Sequence, residues 1–185
     1  MGDELRGPSI AGSFEQVVMP HLDAAYNLAR WLVRNPHDAE DIVQEAYLRA
    51  FKFFASYHGG DARAWVLAIV RNTTYSFIEK NRPGDLMEEF DEKVHTVDSG
   101  AVDAEASLLQ SVDAGTVRRA LEELPVNFRE VLVLRELEGM SYKQIAEVMA
   151  TPIGTVMSGL ARGRTKLRKR LLSSRAKEDR RDLRK

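Results

Sequence analysis

The sequence predicts an all-α protein, two small helical domains joined by an acidic flexible linker, and three observations carry that expectation. Apolar residues return every three or four positions through both ends of the chain, the period of helices that each bury one face. Caps, prolines and glycines punctuate those stretches at ordinary helix lengths. Charge is also divided. Between residues 85 and 113 nine carboxylates stand against Lys93 alone, a net of −8, whereas residues 162–185 set twelve Lys and Arg against three acids, a net of +9. The overall charge of −1 hides an acidic middle and a basic end, and the local field rather than the sum selects the partner.

In order, Ser13 with Gln16 forms a capping box that opens a first helix, in which Phe14, Val18, Leu22, Ala25, Leu28 and Leu32 share a period that ends near Asn35-Pro36. Asp38 caps a second helix with Ile42, Val43, Ala46, Ala50, Phe51 and Phe54 inward and Asp41, Gln44, Glu45, Arg49 and Lys52 outward. His58-Gly59-Gly60-Asp61 breaks it, and a third helix runs from Ala62 to Asn81-Arg82-Pro83. Residues 85–105 have few large apolar side chains and no clean period, the composition of a mobile linker. A helix then carries Leu108, Leu109, Val112, Val117 and Leu121 up to Leu124-Pro125, and another runs from Asn127 to about Glu138, stopped by Gly139. These boundaries give domains at 13–84 and 106–172, a linker at 85–105 and a frayed basic tail at 173–185.

Residues 141–169 organise the second domain. Ser141 and Gln144 make a capping box; Ile145, Val148 and Met149 line one face; Ala150-Thr151-Pro152 is a tight turn, with Thr151 able to cap and Pro152 suited to the first helical position. Helices joined so closely must cross, a helix-turn-helix whose second member can enter a DNA major groove. Val156, Leu160, Leu167 and Leu171 fall on one face of that member, and Thr155, Ser158, Arg162, Arg164, Lys166, Arg168 and Lys169 largely elsewhere.

Other classes fare worse. With no cysteine there are no disulfides, thiolate metal sites or cysteine nucleophile, and the four histidines lack metal-ligand spacing. No Gly-rich phosphate loop precedes a helix, so neither catalysis nor a cofactor is expected. No apolar run approaches a membrane span, and the expected location is the cytoplasm. A stand-alone helix-turn-helix regulator with an N-terminal sensing domain is the competing expectation.

Four stretches decide between them: DAEDIVQEAYLRAF at 38–51, ARAWVLAIVRNTTYSFIEKNR at 62–82, LPVNFREVLVLRELEGMSYKQIAEVM at 124–149 and PIGTVMSGLARGRTKLR at 152–168. In this order, around an acidic linker, they resemble the extracytoplasmic-function sigma factors of the sigma-70 family. The resemblance implies a transcription initiation factor whose region 2 and region 4 bind core RNA polymerase, on the beta-prime clamp and the beta flap, and read promoter −10 and −35 elements. It implies a monomer when free, without membrane insertion, and an anti-sigma factor as a further partner, which can hold the protein near the membrane.

Carried over residue by residue, Asp38, Asp41, Gln44, Glu45 and Arg49 fall on the polymerase contact, where an acidic face suits a protein better than DNA phosphate. Tyr57, Arg63, Trp65, Arg71, Asn72, Lys80 and Arg82 fall on the −10 element, supplying aromatic stacking and a basic track for unpaired bases. Ser141, Tyr142, Thr155, Ser158, Gly159, Arg162, Arg164 and Lys166 fall on the −35 element. Two positions depart from the family pattern: Gly159 stands where Arg is usual, and Ala150, expected in a left-handed turn, where Gly is usual.

Overall fold

The computed structural model describes residues 10–82, 84 and 113–182, with side chains between 13 and 174 in those ranges; the acidic linker and the expected helical residues Leu108, Leu109 and Val112 lie outside them. Among the described residues every regular element is helical. The first unit holds α1 (Ile10–Val18), α2 (Leu22–Val33), α3 (Pro36–Phe53) and α4 (Ala62–Asn81), and the second holds α5 (Ala114–Glu122), α6 (Val126–Leu132), α7 (Tyr142–Met149) and α8 (Ile153–Asp182).

Three starts in the first unit differ from expectation. The single first helix is two, because Pro20 cannot donate into a continuous ladder and the chain passes through a 3-10 turn, Met19–His21, before α2. Since α1 begins at Ile10, Ser13 lies inside it and does not cap it. Asn35, rather than Asp38, caps α3: Arg34 turns the chain with φ 62°, and the Asn35 side chain accepts from the His37 and Asp38 amides while Pro36 takes the first turn. Freed from capping, the Asp38 carboxylate accepts from Arg82 at 2.6 Å, and the same guanidinium donates to the Val33 carbonyl at 2.8 Å, tying the end of α4 to the α2–α3 corner.

In the second unit Asp113 caps α5, and α6 widens into a π turn, Val133–Leu137, before Gly139 (φ 64°) ends it. The Ser141–Gln144 capping box forms in both directions. Ala150 adopts φ 49°, ψ 46°, the left-handed conformation expected of the turn. The Pro152 carbonyl accepts from the Thr155 and Val156 amides, so Pro152 itself sits at the cap of α8, one residue ahead of the expected place. The α8 backbone stays helical through Asp182, across the part expected to fray.

Each unit buries its own apolar face, Leu28, Leu32, Ile42, Leu67, Val70 and Ile78 in the first and Val131, Leu134, Met140, Ile145, Val156 and Leu160 in the second. The two cores are continuous, because α4 packs against α7 and α2 against α6. Phe51 is an exception to the expected inward face of α3, at 49% exposure.

Candidate nucleic-acid interface

The α7–α8 pair is held by its own core. Val156 and Leu160 are 1% exposed, and Gly163 approaches α6 so closely that a Cβ there would meet Leu132 Cγ at 3.2 Å. Arg164 donates to Glu136 at 2.7 Å and the Lys166 ammonium lies 5.0 Å from the Phe128 ring centroid, so two of the expected DNA cations brace α8 against its own unit. Ser141 is spent on the capping box, and Tyr142 lies under the Arg135 guanidinium at 4.9 Å. On the other side of α8, Ile153 and Met157 are 46% and 53% exposed, with Thr155, Ser158 and Arg162 half-exposed.

Gly159 does not belong to that open side. It is buried, in register with Val156 and Gly163, which is the face α8 turns inward. The expectation that residue 159 neighbours the DNA-reading face is thereby corrected: one position along a helix is a 100° rotation, enough to carry Gly159 from Ser158's side into the packing.

The face of α4 and the loop before it carry the other basic and aromatic candidates, and the second unit occupies Arg63 and Arg71 among them. Arg71 Nε donates to Glu130 Oε1 at 2.6 Å and the Tyr75 hydroxyl to Glu130 Oε2 at 2.7 Å, with Glu130 fully buried. Burial pushes the Glu130 carboxyl above the ordinary range despite Arg71, and burial beside Glu130 raises the Tyr75 phenol likewise. Arg63 pairs with Glu138. Asp61 caps α4 through the Ala64 amide and accepts from Gln144 of α7 at 2.6 Å; the backbone hydrogen bond first, then Gln144, hold its carboxyl below the ordinary value. Tyr57, Trp65 and Glu147 share an open cleft of about 430 Å³, and the Tyr57 and Trp65 rings lie 5.1 Å apart. Asn72 and Lys80 stay exposed, whereas Arg82 is committed to Asp38 and Val33.

The outward face of α3 is uncovered. Asp41, Gln44, Glu45 and Arg49 are all exposed, Glu45 accepting from Arg49 at 2.8 Å. Leu48, 68% exposed, sits among them one turn beyond Gln44 and Glu45. It was absent from the expected contact set because an apolar residue off the core period carries no polar signature; its exposure is the signal.

The family model for sigma-70 region 2 matches residues 17–83, and that for sigma-70 region 4 matches residues 114–167. The RNA polymerase sigma-H factor of Pseudomonas aeruginosa is 31% identical over 86% of this chain and 86% of its own length. The chain belongs to the sigma-70 family of RNA polymerase sigma factors. The extracytoplasmic-function (ECF) sigma factor SigE of Mycolicibacterium smegmatis is 33% identical over 90% of this chain, which spans 63% of that protein's length, and SigW of Bacillus subtilis is 29% identical over 86% of this chain. These relatives place it among the ECF members.

Among solved structures, the sigma factor RpoE of Bartonella quintana, crystallised with the anti-sigma factor NepR, is similar with TM-score 0.64 and 28% identity over 86% of this chain and 96% of that one. CnrH, solved with the cytosolic domain of CnrY, shares the fold at TM-score 0.60 and 24% identity. The first unit is therefore region 2 and the second is region 4 of a sigma factor, and the contacts of Glu130, Glu138 and Gln144 are contacts of region 4 upon region 2.

Proposed function

We propose that this sigma factor engages core RNA polymerase through α3 of region 2 and then reads promoters with two faces, α4 and its preceding loop at the −10 element and the open side of α8 at the −35 element. The ECF sigma factor is an alternative transcription initiation factor, and what is proposed is how these residues divide the work. The supporting observation is the contrast in accessibility. The acidic rim around Leu48 on α3 is free, while Arg63, Arg71 and Tyr75 on α4 are occupied by Glu138 and Glu130.

An exposed leucine ringed by polar groups has the make-up of a protein interface, with an apolar centre and a charged rim. Region 4 in turn presents carboxylates to the guanidinium and phenol groups that would otherwise meet nucleic acid, so the described arrangement is a closed form. Polymerase docks on α3 first, region 4 swings away, and α4 becomes available. The first-unit loop, with Tyr57 and Trp65 at the cleft, then offers stacking surfaces to unpaired bases. No described helix is long and apolar enough to cross a membrane, and the proposed site of action is the cytoplasm. An anti-sigma factor is the proposed further partner, supported by the 28% identical relative solved with one.

Run-off transcription with purified core polymerase on a promoter library tests this. Transcripts that require both the protein and a −35/−10 pair are expected. Specific duplex binding by the protein alone, unchanged by polymerase, would instead establish a stand-alone regulator.

A further inference from the structure

Resting on the assignment of α8 to the −35 element, we propose that Met157 reads the 5-methyl group of a thymine there. The register of α8 isolates this side chain. Val156, Gly159, Leu160 and Gly163 are buried, and directly opposite them stand Gly154, Ser158, Ala161 and Thr165, all small. Such a stripe lets the helix settle deep in a groove but provides little reach of its own. Large side chains flank it: Ile153 and Met157 on one side, 46% and 53% exposed, and Arg162, half-exposed, on the other. In a helix-turn-helix the first two turns of the second helix meet base edges. Met157 lies in the second turn of α8.

The chemistry of a thioether narrows what it can read. Sulfur there donates no hydrogen bond and accepts one only weakly, so Met157 cannot pair with a guanine or adenine edge. The one apolar feature of the major-groove floor is the thymine methyl. An unbranched, polarizable side chain adapts its shape to such a group. The bracing of Arg164 on Glu136 and of Lys166 on Phe128 fixes the rotation of α8 and with it the direction in which Met157 projects.

The test uses full-length protein with core polymerase and the best −35 sequence selected from a randomised library. Each −35 thymine is replaced in turn by deoxyuridine, which removes the methyl group alone. One replacement is expected to weaken wild-type binding about fourfold, the value of one buried methyl or methylene group. Met157→Ala should bind the thymine promoter about as weakly and be indifferent to that replacement, with an unchanged melting temperature because the side chain is half-exposed. Met157→Gln should move the preference at the same position from thymine toward adenine, whose N6 and N7 an amide matches. Wild-type binding that ignores every thymine-to-deoxyuridine change, or an alanine variant that stays equally sensitive, overturns the assignment of Met157 alone. Absence of any polymerase-dependent promoter binding overturns the −35 role of α8 and this inference with it.

Discussion

Arg71 holds the closed form together at its most buried point, and Arg71→Ala should open it. The guanidinium is 16% exposed and Glu130 is not exposed at all, so removing Arg71 leaves a buried carboxylate to which the Tyr75 hydroxyl still donates. Breaking a buried pair from one side costs about 3–5 kcal/mol, chiefly the uncompensated charge. Here the molecule can avoid that cost by undocking region 4, which returns Glu130 to water, so the loss appears in the docking equilibrium as a shift of roughly two to three and a half orders of magnitude. Since the chain has no cysteine, a thiol introduced at exposed Glu40 and another at exposed Thr165 label cleanly for distance measurement by energy transfer. The wild type should give one narrow distance distribution and Arg71→Ala a broader one. Glu130→Gln, which removes the charge but keeps the shape, should open the molecule far less. Equal distances in wild type and Arg71→Ala, with equal melting temperatures, would show that the Arg71–Glu130 contact does not hold the units together.

Reversing charge at Asp41 and Glu45 to Lys should abolish core-polymerase binding in a pull-down while shifting stability by no more than about 0.5 kcal/mol, as both side chains are exposed and the Glu45–Arg49 pair is a surface one. Gly159→Arg should lower the melting temperature by the equivalent of about 1–3 kcal/mol of overpacking and gain no affinity at any −35 sequence, because residue 159 faces inward. Ala150→Gly should stabilise region 4 by about 0.5–1 kcal/mol in thermal melts: the left-handed φ of 49° costs alanine about 1–2 kcal/mol, and glycine's looser unfolded chain returns part of the gain. The closed form should also be favoured by mild acid. Burial raises the Glu130 carboxyl, so its contribution to closure is complete below the ordinary value of 4.5 and is lost as pH rises through the raised one. Energy transfer between the labels should increase from neutral pH down to about pH 5, a trend Glu130→Gln should flatten; the contribution of Asp61 is lost only at lower pH, below its ordinary 3.8.

Where local chemistry alone decides the backbone, the sequence is a sufficient guide. The span of α4, the Ser141 capping box and the left-handed Ala150 all follow from residues within a few positions of one another. Asn35 and Asp38 show the limit of that rule, since both can cap; the choice turns on Arg82, 44 residues beyond Asp38, which claims the carboxylate. Pro20 was legible as a break, but the apolar period running past it on both sides masked the signal. Gly159 needed the rotation of α8, set by the approach of Gly163 to Leu132 in α6. The covering of Arg63, Arg71 and Tyr75 was beyond reach for a different reason. Their partners Glu138 and Glu130 lie 75 and 59 residues away from Arg63 and Arg71, in a unit with its own core, and each end of these pairs reads locally as an ordinary surface charge.

The docking of region 4 upon region 2 also decides where its energetic cost is felt. A binding-competent form populated only as a fraction weakens apparent affinity by that fraction, whatever the ligand. If polymerase is the ligand that first demands separation, the whole discount falls on assembly of the holoenzyme, and by the time DNA arrives the discount has already been settled. Changes at Glu130 or Glu138, which touch no base, would then tune how well this sigma factor competes for polymerase against other sigma factors while leaving the ranking of its promoters untouched. Quantity of transcription and choice of target would sit on separate residues, free to drift apart.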